Sequence, residues 1–394
     1  MLLPTGSSGR APVPESEIMN AIATNTPTAD AALRESAVVV YGAYGHTARF
    51  VVAELHRRGR TVILSGRNEE KLRELGERYP DAPIRVADVA DPAALDRAFA
   101  GAGAVINCAG PFSETTLPVA DAAIRAGAHY LDVAAEQAAT ASLFDTRGEQ
   151  ARAAGLVLAP SFAFYGALGD LLATAALGER SEADEITIAF GLDSWLPTEG
   201  SRLTGRTNAG RHLVFTGGRL RPFSYSEEQS EWRFPAPMGA LAVTEFATAD
   251  QVTIPRHLHT PEVRAVMNLA PLRDVNDANT PTPSPSPADA LGRSAQTFLV
   301  EVVARTGDRE HRAVAGGNDI YAVTAPLVVE AAERLLSGRH TTTGVLAAGE
   351  AFDAADFLRA LTPDHLTRLE LPSADAEPHT AEAEQHTTTA GAAR

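Results

Sequence analysis

Lysine and cysteine are almost absent from this chain. Of its 394 residues one is cysteine, Cys108, and of 34 lysine and arginine residues only Lys71 is lysine. A single cysteine excludes an intramolecular disulfide framework and any cysteine-rich zinc site. A single lysine leaves one candidate for Schiff-base chemistry, for a Tyr-x-x-x-Lys pair and for a phosphate-gripping P-loop. Lys71 lies in Asn68-Glu69-Glu70-Lys71-Leu72-Arg73, which predicts the exposed first turn of a helix, with no P-loop glycines before it and no tyrosine four residues upstream. Those chemistries are closed. No apolar run of about 18 residues occurs, so no transmembrane helix is expected. Met1-Leu2-Leu3-Pro4 lacks the basic start and apolar stretch of a secretory signal, and a cytoplasmic protein is expected. Positive charge is also short: the net charge of −16 makes duplex nucleic acid a poor partner.

What is present is organised. The length accommodates two domains, or one with a large insertion. Residues 1–36 are rich in Pro, Ser, Thr and Ala without periodicity and read as a disordered tail, as do residues 372–394. Between them, residues 37–165 alternate strands with helices. Strands are expected at 37–41, 61–65, 84–87, 104–107, 130–133 and 156–159; helices at 45–58, 68–79, 92–99, 115–126 and 136–154. That alternation predicts a Rossmann-like doubly wound parallel sheet. After a helix at 168–177, residues 166–316 read as an α+β substrate and dimerisation domain with a largely antiparallel sheet. Its expected strands include 185–190, 212–215, 251–254 and 297–304, and a proline-rich surface loop falls at 280–287. Residues 317–371 hold two closing helices, 323–337 and 354–361, expected to pack back on the first domain.

The turn Tyr41-Gly42-Ala43-Tyr44-Gly45-His46-Thr47-Ala48 sits where the first strand meets the first helix. A pyrophosphate needs backbone N–H groups at a helix N-terminus with no side chain in the way, and glycine at this turn meets both needs. At the end of the second strand stand Ser65-Gly66-Arg67, with no acid before Glu69 to grip a ribose 2′-hydroxyl. Arg67 offers a planar guanidinium to a 2′-phosphate and Ser65 a hydroxyl, so NADP(H) is the expected cofactor. Asp88 and Val89 end the third strand, where an adenine would rest. Asn107, Cys108, Ala109, Gly110, Pro111 and Phe112 follow the fourth, beside the expected nicotinamide.

These motifs, with Gly127-Ala128-His129-Tyr130-Leu131-Asp132, occur in an order and spacing that resembles the saccharopine dehydrogenase-like oxidoreductases, in particular their bacterial trans-acting enoyl reductase-like branch. The stretches Gly169-Asp170-Leu171-Leu172 and 344–352 are similar too, so the resemblance covers roughly residues 37–362. It departs at the turn, where the family often has Gly-Ala-Thr-Gly-Tyr-Thr-Gly, and at Ala134-Ala135-Glu136, where a Gly-Glu pair is frequent. The resemblance implies a dinucleotide-binding domain interrupted by a substrate domain, an NADP-dependent oxidoreductase acting on a small molecule, and a sheet able to form a homodimer.

The residues themselves leave the chemistry open. Asp132, at the carboxyl edge of the fifth strand, is a candidate polar group near the nicotinamide or a cap for the next helix. Tyr165, in Phe162-Ala163-Phe164-Tyr165-Gly166, is a candidate proton donor or an interdomain packing residue. Cys108 reads as a buried neighbour and His129 as a half-buried structural histidine. Arg202, Arg206, Arg211 and His212 could clamp an anion or form a solvated face. His257 and His259 lack a nearby third ligand, so no metal site is expected. No Gly-x-Ser-x-Gly or His-Glu-x-x-His motif occurs, and hydrolase readings have no support. A reductase acting on a C=N or activated C=C bond is the main expectation. A non-catalytic dinucleotide-binding sensor or interaction module is the alternative.

Overall fold

The computed structural model describes residues 37–372 except 209, 225–227 and 284–290. Both expected tails, apart from Pro372, and residues 284–287 of the proline-rich loop lie outside the described residues.

Short apolar runs build the first sheet: β1 (Val38–Tyr41), β2 (Val62–Gly66), β3 (Ile84–Val86), β4 (Ala104–Asn107), β5 (His129–Asp132) and β6 (Val157–Ala159). Helices α1 (His46–Arg57), α2 (Glu69–Gly76), α3 (Pro92–Phe99), α4 (Phe112–Ala126) and α5 (Gln137–Ala153) connect them. Local chemistry sets their ends. The side chains of Asn68 and Asp91 cap α2 and α3, Pro92 opens α3, and Gly127 closes α4 at φ +69°. All pairings are parallel, in the order β15-β6-β5-β4-β1-β2-β3, where β15 is Gly344–Val345 from the far end of the chain. The order reverses between β1 and β4, which opens a crevice at their carboxyl ends.

The second sheet gathers β7 (Glu185–Leu192), β10 (Ser230–Phe234), β11 (Gly239–Glu245), β12 (Val263–Asn268), β13 (Thr297–Thr306), β14 (Arg309–Asn318) and β16 (Leu366–Glu370). A hairpin of β8 (Leu213–Thr216) and β9 (Arg219–Pro222) joins it, turning at Gly217 and Gly218 with φ +58° and +72°. Its pairings are antiparallel except β7 with β12. Helix α6 (Gly169–Leu177) lies under it, and one continuous core runs from α1 through α6 to the inner face of β7 and β13.

Three local expectations change. The segment expected as a strand at 251–254 is helix α8 (Asp250–Thr253) and a 3₁₀ turn, because Pro255 cannot donate to a ladder and the chain is buried all round. Residues 199–207, where no element was expected, form α7 (Glu199–Thr207), capped by the Thr198 side chain; α9 is Leu269–Asn276. The C-terminal segment adds a strand to each sheet around α10 (Thr324–Leu336), α11 (Ala348–Ala351) and α12 (Ala354–Ala360); α10 packs on α1, whereas α12 packs on α6.

Candidate functional site

Strand register assembles the site. Ser65 pairs with Tyr41, Tyr41 with Asn107 and Asn107 with Asp132, so four of the singled-out positions stand in one row across the carboxyl edge. Above this row, Gly42 takes φ +78°, and a Cβ there would lie 2.9 Å from Ala109 Cα. The β1 turn and the β4 loop therefore touch backbone to backbone at Gly42. Gly45, the N-cap of α1, brings no side chain, which leaves the first-turn N–H groups at His46 and Thr47 facing the crevice. Tyr44 does not block them: its ring leans over Gly66, where a Cβ would meet Tyr44 Cε1 at 2.9 Å. Lys71 Nζ sits 5.7 Å from the Tyr44 ring centroid.

At the end of β2 the Ser65 hydroxyl is buried without a hydrogen-bond partner among the described residues. Arg67 is exposed and forms no hydrogen bond or ion pair among them. Asp88 is exposed and accepts the Ala90 N–H at 2.9 Å; Val89 is half-buried. Burial and then Asp88 push Tyr41 up to about 12, so its hydroxyl remains a donor, to the Ala87 carbonyl at 3.3 Å.

Asn107 shapes the loop after β4. Its Oδ1 accepts the Ala109 N–H at 3.0 Å, and its Nδ2 donates to Thr115 Oγ1 at 3.2 Å and the Tyr130 hydroxyl at 3.3 Å. Cys108 is half-buried, and burial followed by the nearby Asp132 raises its thiol well above its ordinary range, which suits a neighbour and not a thiolate nucleophile. The Gly110–Pro111 bond is cis. Phe112 opens α4, whose first amides are held by Glu136: Oε1 accepts Phe112 N–H at 3.0 Å and Oε2 accepts Ser113 N–H at 2.9 Å. Thr204 of α7 donates to the same carboxylate at 3.1 Å, and Gln137 donates to the Leu213 and Thr248 carbonyls, both at 2.8 Å. The start of α5 thus ties the second sheet over the crevice.

Asp132 is fully buried. Its Oδ1 accepts Ser161 N–H at 2.7 Å and Ala134 N–H at 3.1 Å, and its Oδ2 accepts the Tyr130 hydroxyl at 2.8 Å. Burial raises it to about 6 despite these donors. Tyr165 lies in an aromatic wall between the sheets, with ring centroids 4.9 Å from Phe164, 5.1 Å from Phe190, 5.9 Å from Trp195 and 5.8 Å from Phe246. Behind it, buried Asp250 accepts Gly166 N–H through Oδ2 at 2.9 Å, while Oδ1 has no hydrogen-bond partner among the described residues.

Burial, with Asp170 as an added like charge, raises Asp250 from 3.8 to about 7; His257 and Glu350 complete the charged groups around Asp170. The folded state therefore holds a proton that the unfolded chain releases above pH 3.8. This contribution is complete below pH 3.8 and is lost as pH rises through 7. Asp250→Asn is expected to match the parent near pH 4 and to exceed its stability at pH 8 by on the order of 3–4 kcal/mol. Denaturant unfolding at the two pH values measures this; equal differences at both would refute it.

Other candidates fall elsewhere. His129 Nδ1 accepts the Val157 N–H at 3.1 Å, and burial lowers it to about 4. His257 pairs with Asp170 at 3.1 Å, and no metal-holding cluster exists among the described residues. Arg202 binds the carbonyls of Asp277 and Thr280, and Arg206 and Arg211 are exposed. His46 faces Tyr321, ring centroids 5.3 Å apart. The Tyr321 hydroxyl accepts from Trp195 Nε1 at 2.9 Å and the Thr198 N–H at 3.3 Å, and shares a bond with Ser201 Oγ at 2.9 Å. Tyr321, Trp195, Glu136, Gln137 and Asp250 were not among the residues expected to build the site. The partners described above lie 23 to 126 positions away, and no local pattern marks them.

A parallel sheet with a switch-point crevice and a glycine cradle at a helix N-terminus defines a dinucleotide-binding α/β protein. Residues 38–157 match the saccharopine dehydrogenase NADP binding domain, the stretch in which the motifs resemble that family most densely. The trans-acting enoyl reductase of Mycobacterium tuberculosis is 32% identical over 137 residues, covering 33% of each chain. A lipid droplet localized protein of Caenorhabditis elegans is 34% identical over 131 residues, 30% of this chain and 31% of its own. The alignments therefore span about a third of these relatives. The fold of apo saccharopine dehydrogenase (L-Glu forming) from Saccharomyces cerevisiae matches with a TM-score of 0.60, covering 86% of this chain and 100% of that one at 13% identity. Among the described residues, no helix is long and apolar enough to cross a membrane.

Proposed function

We propose that the chain is an NADPH-dependent reductase that delivers hydride to a C=N or activated C=C bond of a small metabolite bound between the two sheets. The observation that carries this reading is the cradle at the carboxyl edge: Gly42 pressed against Ala109, an α1 N-terminus without a side-chain cap, and, at the end of β2, an exposed arginine without an ion pair among the described residues. The residues present fit NADP(H). Gly42, Ala43, Tyr44, Gly45, His46 and Thr47 would surround the pyrophosphate, and the buried, unpartnered Ser65 hydroxyl and exposed Arg67 would take the 2′-phosphate, with Lys71 as a second cation nearby. Asp88 and Val89 would flank the adenine, and Asn107, Cys108, Ala109, Gly110, Pro111 and Phe112 the nicotinamide. The bound cofactor supplies a hydride; the chain supplies its placement.

Asp132 supports the cleft from behind, since both its oxygens are engaged and it has no exposed surface. Tyr165 is the candidate that delivers a proton to carbon if the bond is an alkene; an imine, protonated on nitrogen, needs less help. The reading includes a cytoplasmic location, assembly with a second copy, and no nucleic-acid partner, in keeping with the net charge of −16.

NADPH oxidation with a panel of imines and enoyl thioesters tests the reading; tight NADPH binding with no oxidation across the panel would favour a sensor. For the cofactor, Arg67→Ala is expected to weaken NADPH roughly 10- to 100-fold while changing NADH less than about twofold. Fluorescence titration of both nucleotides measures this, and equal weakening would remove Arg67 from the 2′-phosphate.

A further inference from the structure

The chain leaves the parallel sheet through residues 160–168, and this crossover is conformationally strained. Ser161 takes φ +53°, which L side chains seldom adopt. Gly166 takes φ +107°, and a Cβ there would lie 2.6 Å from the Ser161 carbonyl oxygen and 3.2 Å from Ala249 Cβ. Backbone of this kind persists only where its surroundings over-determine it.

Two fully buried carboxylates hold it, one from each part of the fold. Asp132, at the end of β5, accepts the Ser161 N–H through Oδ1 at 2.7 Å, and its backbone carbonyl accepts the Phe162 N–H at 2.7 Å. Asp250, in α8 of the second part, accepts the Gly166 N–H at 2.9 Å, and the Thr253 hydroxyl donates to the Gly166 carbonyl at 3.2 Å. Both backbone polar groups of Gly166 are thus gripped by one short helix. Thr140 shares a hydrogen bond with the Ser161 hydroxyl at 2.5 Å, and Thr324 Oγ1 accepts the Phe164 N–H at 3.2 Å. Between the two carboxylate clamps sits Tyr165, facing Trp195 and Phe246.

We propose that Asp250 is a positioning residue for the cleft: by gripping the Gly166 amide it sets the Tyr165 ring against Trp195, while Asp132 fixes the other end of the same turn. The proposal rests on the reading of the space between the two sheets as the reaction site. Burying a carboxylate is costly, and an apolar side chain would pack more cheaply. What the carboxylate supplies is an acceptor for a positive-φ amide. Because the clamps come from different parts of the fold, a relative shift of the two sheets reaches Tyr165 directly.

The test uses the full chain in a Trp232→Phe background, so that Trp195 is the single tryptophan. Asp250→Ala removes the acceptor, Thr253→Val removes the donor to the Gly166 carbonyl with little change in volume, and Asp250→Asn keeps an oxygen for the amide. Trp195 emission, NADPH affinity by titration, and turnover on whichever panel substrate is reduced are compared. Asp250→Ala and Thr253→Val are expected to shift Trp195 emission and lower kcat by about 10- to 100-fold, with NADPH affinity within about twofold. Asp250→Asn is expected to restore both emission and kcat. Unshifted emission in Thr253→Val and in folded Asp250→Ala would overturn the proposal, as would loss of NADPH affinity in step with turnover, or failure of Asp250→Asn to restore emission. If no substrate is reduced, the reductase reading fails, but the emission comparison still decides the positioning role.

Discussion

Gly42→Ala is expected to cost about 3 kcal/mol of stability and to weaken NADPH binding by 100-fold or more. Two effects combine. At φ +78° any Cβ is strained, by roughly 1–3 kcal/mol. The new methyl would also lie 2.9 Å from both Ala109 Cα and Cβ and 3.0 Å from its amide nitrogen, so backbone must move. That movement separates the β1 turn from the β4 loop, the two walls of the nucleotide crevice. Gly59→Ala isolates the first effect. Gly59 has φ +70° but nothing within 4 Å of a Cβ, and it lies at the far end of α1. It is expected to lose about 1 kcal/mol with unchanged NADPH affinity. Similar NADPH affinities for the two variants would show that the Gly42–Ala109 contact does not shape the site.

Arg58→Leu is expected to destabilise the fold by about 3 kcal/mol without a matching loss of NADPH affinity. The guanidinium follows α1 and reaches three carboxylates, each at 2.7 Å: Glu54 on its own helix and Glu330 and Glu333 on α10. Side-chain exposures of 14% for Arg58 and 7–15% for the acids mean that water cannot replace the lost partner. Arg60 and Arg334 still serve Glu333 and Glu330, which keeps the cost at the lower end for a broken buried ion pair. Burial alone would raise Glu54, but hydrogen bonds from Arg57, His365 and Arg58 win and hold it well below the ordinary carboxylate range; Glu330 is lowered in the same way by Arg334 and Arg58. A lowered carboxylate stabilises above its unfolded value near 4.5 and loses that contribution as pH falls. Arg58→Leu should therefore flatten the acid limb below pH 4.5. Arg58→Lys should recover only part of the loss, because an ammonium cannot reproduce the three-way fork. Unfolding midpoints at pH 7 and pH 4 measure both effects, and an unchanged acid limb would contradict the ion network.

The parallel sheet was legible because its code is local. β-branched runs, capping Asn68 and Asp91, and glycine at positive φ each act within a few residues. The same holds for the row Ser65, Tyr41, Asn107 and Asp132: strand ends in a parallel sheet align once the alternation is recognised. The second sheet was less legible. Val252, Thr253 and Ile254 look like strand, yet burial on every side and Pro255 make them helical, and that misreading concealed Asp250. Tyr321 and Trp195 meet across 126 positions, and Glu136 reaches back 24 to cap α4. Such pairings follow from tertiary packing, which no short window encodes. Asp132 shows the limit from the other side. Its position was readable, but the three donors that occupy it were not.

In the proposed reaction, hydride leaves NADPH for carbon in the cleft between the two sheets. NADPH deuterated at nicotinamide C4, prepared separately on each face, is incubated with the protein and the imine and enoyl thioester panel. The reductase reading predicts that one of the two labelled forms transfers deuterium to a product carbon, at the former imine carbon or the alkene β-carbon. NADPH that binds tightly yet transfers deuterium to no member of the panel from either face would contradict it.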